Sequence, residues 1–172
     1  MNEMLRKDEH SSLITSLKEL QQLRELVTVL QPFAEATDIA QGSTFVTISC
    51  VVPLLLSLVN GLCEQLTSSN FQQPLIRELL RNLFGRFRGL FDQLHISCPT
   101  GISPADGSKD LNSDSYIYLM AASLDPDHGY RWLERHPGSV ADKETLKNEI
   151  FGKLQICLNC NNAYFYSSFQ FL

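Results

Sequence analysis

Leu30-Gln31-Pro32-Phe33-Ala34-Glu35-Ala36-Thr37 runs, after a short polar connection, into Thr44-Phe45-Val46-Thr47-Ile48-Ser49 and Val52-Pro53-Leu54-Leu55-Leu56. Pro32 lacks an amide donor and pushes the residue before it out of the α region, so a leucine-rich helix is expected to end there. Asp38 and Gln41-Gly42-Ser43-Thr44 are turn and cap residues. A long apolar segment follows, with Pro53 inside it. Helices joined in this way turn back on each other, which predicts a mainly α protein, an irregular helical bundle.

Working outward, residues 11–31 form the first helix, with Ser11 or Ser12 as its cap. Leu13, Leu17, Leu20, Val27 and Leu30 recur at steps of three, four and seven, a stripe that a bundle helix buries. A dimerising coiled coil is the sharper reading of the same spacing, limited by the few heptads that fit before Pro32. Residues 33–40 make a short helix or turn. Residues 44–68 are apolar nearly all round and predict the central helix, with Pro53 kinking it or marking its first turn and Thr47 or Ser49 as cap. Its most apolar part, Val46 to Leu62, contains Thr47, Ser49, Pro53, Ser57 and Asn60 and is shorter than the roughly 20 apolar residues of a membrane span. Residues 73–92 form the next helix, with Pro74 in its first turn; Leu75, Leu79, Leu80, Leu83, Phe84, Phe87, Leu90 and Phe91 are its apolar face. Residues 1–96 thus read as one helical bundle.

Residues 97–113 are dense in Pro, Gly, Ser and Asp and read as a flexible, disordered linker. Residues 114–154 begin with a short apolar run, Tyr116 to Leu124, in which a strand over Tyr116 to Ala122 is one reading. They continue through the helix-start signal Asp125-Pro126 to an amphipathic helix over Asp142 to Leu154, with Leu146, Ile150, Phe151 and Leu154 inward. Residues 155–172 are an uncharged aromatic tail. It is β-prone, an aggregation liability, and does not continue the helical pattern before it.

The net charge of −5 over 172 residues argues against a general nucleic-acid surface. The five cysteines are scattered and odd in number, as in a reducing compartment. The charged first nine residues have no apolar core of a signal peptide.

Two blocks together resemble the hAT transposase superfamily, and within it the transposon-derived proteins of the BED zinc finger family. The first is Leu30, Pro32, Phe33 and Thr37 followed by Thr47, Ser49, Pro53 and Leu56; the second is Ala121-Ala122-Ser123-Leu124-Asp125-Pro126, with Arg86-Phe87 between them. The resemblance spans about residues 13–154. It implies part of the helical insertion of a ribonuclease-H-like transposase, a nuclear location and a DNA-binding or transcriptional setting. The family's zinc finger and first two catalytic acids would lie upstream of such a region, and its dimerisation segment downstream. Asp127-His128-Gly129-Tyr130 stands where the family usually has Arg and then Phe-Lys. The resulting expectation is a domesticated, catalytically inactive derivative that acts as a protein-interaction or self-association module. A nucleic-acid-binding module and an isoform fragment without independent function are the rival readings.

Candidate chemistry is sparse. Asp125 is the acid of the second block; a cap carboxylate is the plain reading, and a metal ligand the sharper one. His128, His136 and Cys157-x-x-Cys160 are zinc-ligand types without the two tight pairs a structural site uses. No glycine-rich phosphate loop follows a strand. No cofactor, small-molecule substrate or membrane is expected. Arg77, Arg81, Arg86 and Arg88 form the most basic segment, read either as a phosphate-contacting helix face or as a solvated outer face. Tyr130 and Trp132 read as core, with a stacking platform as the alternative.

Overall fold

The computed structural model describes residues 15–42, 47–105 and 116–168, the stretch 159–168 as backbone only. Six α-helices are present among them: α1 (Leu17–Ala40), α2 (Val51–Ser68), α3 (Gln73–Arg86), α4 (Arg88–Gln93), α5 (Tyr116–Leu124) and α6 (Val140–Ser168). Two 3-10 turns, Thr47–Cys50 and Arg131–Arg135, precede α2 and α6. No strand occurs among the described residues, so the mainly α expectation holds and the strand over Tyr116 to Ala122 does not. A short apolar run cannot be assigned by periodicity. Here Leu119 and Ala122, three apart, are the two buried side chains of a helix.

α2 is the centre. Val52, Leu55, Leu56, Leu58, Val59 and Leu62 are all buried. Each such side chain contributes about 1.5–3 kcal/mol of burial free energy, so this helix outweighs any other single element. α1, α3, α5 and the Arg131–Arg135 turn all pack on it. They bring Val29, Ile76, Leu80, Phe84, Leu119, Trp132 and Leu133 into the same core, which Leu146 and Ile150 of α6 close from α5. Thr47–Ser68 is, among the described residues, the one helical stretch long and apolar enough to cross a membrane, with a mean hydropathy of 1.7. Its apolar side chains are the fold's own core.

Pro53 sits at the third residue of α2, where no amide is needed, and the helix is not broken there. The residue at its N-cap is Cys50, with no side-chain cap; Thr47 and Ser49 belong to the preceding 3-10 turn.

Pro32 does not end a helix. α1 continues from Leu17 through Pro32 to Ala40, absorbing the separate 33–40 segment, and Asp38 lies inside it. The missing proline amide leaves the carbonyl of Thr28, four residues back, without its helical donor. The Gln65 side-chain amide of α2 donates to that carbonyl at 3.1 Å. A tertiary hydrogen bond thus replaces the one proline removes.

The cap of α1 is Ser16, in a reciprocal capping box with Glu19. Ser11, Ser12 and Leu13 lie outside the described residues. The leucine stripe expected in the core is on the outside: Leu17, Leu23, Val27 and Leu30 are exposed, and Val29 is the buried residue. The cause is polar. The Glu25 carboxylate accepts from the Ser69 hydroxyl (2.8 Å) and the Phe71 amide (2.9 Å), and the Gln72 side-chain amide donates to the Gln22 carbonyl (3.2 Å). This clasp on the α2–α3 turn fixes the rotation of α1 and turns the stripe outward.

The helix expected over 73–92 is two helices, broken at Phe87. Stacking of Phe84 on Phe91, with ring centroids 4.2 Å apart, holds the halves together. α4 ends with His95 in the left-handed region (φ 54) and a bond from the Ile96 amide to the Phe91 carbonyl, the Schellman arrangement. The described part of the expected linker is packed. The Ala105 amide donates to the Arg81 carbonyl, and Cys98 and Ile102 lie against the core. The rest of that linker, 106–113, lies outside the described residues.

Ser139 starts α6 by exchanging bonds with Asp142. The helix continues as backbone to Ser168, so residues 155–168 extend the helix rather than departing from it; 169–172 lie outside the described residues. Phe151, expected inward, is exposed, and Ile150 is the last buried side chain among those described in α6.

Candidate functional site

The four arginines do not share one face. Arg77 and Arg81 are one turn apart on α3, with Arg81 3.8 Å from Glu78. At 100° per residue Arg86 lies about 180° round the same helix from Arg77. Arg88 belongs to α4. The basic segment is a dispersed set of surface charges.

The two blocks singled out by the sequence meet in space. α5 packs on the Thr47–Cys50 turn, and the Asp125 turn follows α5 directly. The Asp125 carboxylate accepts from the Ser49 hydroxyl, the Asp127 amide (2.8 Å) and the His128 amide (3.3 Å). These bonds, the Ser49 hydroxyl first, hold Asp125 below the ordinary carboxylate range, with the nearby His128 ring adding to them. Asp125 is thus a cap carboxylate, but it caps a turn. Gly129 (φ 50) follows, then the Arg131–Arg135 turn. Of the other motif residues, Phe33, Thr47 and Pro53 are half-buried around the same region, as is Pro32, whereas Leu30, Thr37, Leu124 and Pro126 are exposed or nearly so.

This turn carries His128 to Cys50. Nε2 of His128 lies 3.6 Å from Sγ of Cys50, across 78 residues of chain. Both line a cleft of about 250 Å³ between α1 and α2, with Pro32, Ile39, Pro53 and Arg135 among its walls. The sequence showed both residue types but nothing that joined them. Cys50 lay inside the helix expected over 44–68, so its place at the start of α2 gave no signal.

His136 is buried and fully used. The Gly138 amide donates to its Nδ1 (3.0 Å), and Nε2 donates to the Leu94 carbonyl, which assigns the proton to Nε2. Gly138 permits this approach: a Cβ there would lie 2.8 Å from the imidazole. His128 and His136 therefore serve different partners, and among the described residues no three His, Cys, Asp or Glu side chains converge as a metal would require. Trp132 is buried in the core, not offered as a platform, and Tyr130 packs beside it with the Lys147 ammonium 5.7 Å from its ring centre.

No family model, curated protein sequence or solved structure matches this chain.

Proposed function

We propose that the chain is a self-association module, in the nuclear, DNA-binding or transcriptional setting that its resemblance to hAT-transposase-derived proteins implies. The observation that carries this reading is the outward stripe of α1. Leu23, Val27 and Leu30 are 52%, 62% and 42% exposed on a helix whose other side is already docked. With Leu20 they step by three, four and three, the spacing of a coiled-coil seam with Leu20 and Val27 at a and Leu23 and Leu30 at d. A β-branched residue at a with leucine at d favours a parallel pair. In that register Glu19 falls at g and Arg24 at e of the next heptad, opposite charges that face each other across a parallel dimer. The occupant is therefore a second copy of this chain. Ordering a free helix costs conformational entropy. Here the fold has already ordered the helix, which removes that cost from association.

In this reading the module performs no transposase chemistry, and Asp125 serves as a turn cap that accepts from Ser49 and two amides. A second reading, nucleic-acid contact through Arg77, Arg81, Arg86 and Arg88, is favoured by their charge but not by their separation around two helices. Light scattering on the eluting peak tests the first. The expected mass is about 39 kDa, twice the chain's 19.4 kDa, falling to the monomer in Val27→Glu/Leu30→Glu with the circular dichroism unchanged. A parent chain that stays monomeric at high micromolar concentration rules the reading out. DNA binding that is lost on Arg81→Glu/Arg88→Glu would favour the second.

A further inference from the structure

We propose that Cys50 is a peroxide-reactive thiol served by His128 as its base. Cys50 is 8% exposed, yet it lines an open cleft together with His128, whose Nε2 lies 3.6 Å from its sulfur. It closes the Thr47–Cys50 turn, directly before α2 and under the packing of α5. Arg135 on the cleft wall adds a positive charge; Glu35, on the α1 side, opposes it. Asp125 holds the turn that presents His128 by accepting that residue's amide. At about 250 Å³ the cleft is below the usual size for a drug-like ligand, which restricts the reactant to a small molecule. Hydrogen peroxide or a short alkyl hydroperoxide fits that limit.

The step balances without a further reductant. The thiol proton passes to Nε2. The thiolate sulfur attacks the nearer peroxide oxygen, an S–O bond forms and the O–O bond breaks. The departing hydroxide or alkoxide takes the proton back from the imidazolium and leaves as water or alcohol. Sulfur is oxidised by two electrons to the sulfenic acid, and the peroxide is reduced by two.

The chain contains its own comparators. Burial pushes the Cys63 thiol up, and burial with the neighbouring Cys63 pushes Cys98 up, so both are slow nucleophiles. Cys157 is exposed and serves as the accessible reference thiol. The experiment treats the full chain with limiting hydrogen peroxide in the presence of dimedone and follows each cysteine by peptide mass spectrometry. Cys50 is expected to be trapped before Cys157 despite its burial. His128→Gln is expected to slow Cys50 roughly tenfold or more and leave Cys157 unchanged. Cys157 reacting ahead of Cys50 in the parent chain overturns the site, and this ranking needs no variant, so it decides even where His128→Gln fails to fold. A folded His128→Gln chain with unchanged Cys50 kinetics overturns the role of His128.

Discussion

At Asp125 a hydroxyl, two amides and the neighbouring imidazole all favour the carboxylate over the acid. The hydroxyl comes from Ser49, which the sequence offered as a helix cap. A folded pKa below the unfolded one stabilises the protein above the unfolded value, and that stability is lost as pH falls through the folded value. Glu25 acts in the same direction, lowered first by the Phe71 amide. Both carboxylates therefore tie the fold to pH in the acid range, on the low side of their ordinary values of 3.8 and 4.5. Ser49→Ala should raise the Asp125 midpoint toward 3.8 in a carbon-detected NMR titration while Glu25 stays where it was. An Asp125 midpoint that does not move would mean the amides alone hold it down.

At the scale of the element, α1 shows why local rules misplace a boundary. Proline inside a helix costs about 3 kcal/mol, and the sequence contains nothing to offset it nearby. The offset is Gln65, in another helix. Gln65→Ala is expected to cost about 0.5–1 kcal/mol in the parent chain, toward the low end because the Thr28 carbonyl also reaches water. In a Pro32→Ala background, where the new alanine supplies its own amide, the same change should cost close to nothing. Urea denaturation of the four chains reads the coupling. Equal costs in both backgrounds would show that Gln65 acts by packing alone. The same reasoning covers what the sequence could and could not show. α2 was legible because its apolar residues are buried nearly all round, and α3 in part: Leu80 and Phe84 are buried as expected, but Ile76, left out of the expected face, is fully buried and the helix breaks at Phe87. The facing of α1 was not, since Glu25 and Gln22 set it through a turn some 45 residues on. The Cys50–His128 pair was invisible for the same reason: only the packing of α5 on the Thr47–Cys50 turn makes the two neighbours.

For the molecule as a whole, stability is concentrated around α2 and thins toward the far end of α6. Among the described side chains Ile150 is the last one buried, Leu154 is half-buried, and Ile156 and Leu158 are exposed. A chain ending at Leu154 should therefore melt within about 2–4 °C of the full chain, the shift expected for about 1 kcal/mol at this size. It should also stay soluble at higher concentration, because the removed stretch is the uncharged aromatic one. A fall of more than about 10 °C would mean that residues beyond Leu154 are covered in solution.

The make-up of α2 has one more consequence, and it concerns synthesis. Apart from α1 and the Thr47–Cys50 turn, the elements packed on this helix are translated after it, as far as Trp132 and Leu133. At the ribosome's pace of about 5–20 residues per second, α2 waits several seconds for its partners. During that wait the nascent polypeptide displays a window with the length and greasiness of a bilayer anchor. The arrival of α3, α5 and the Trp132 turn is what converts that window into the interior of the fold.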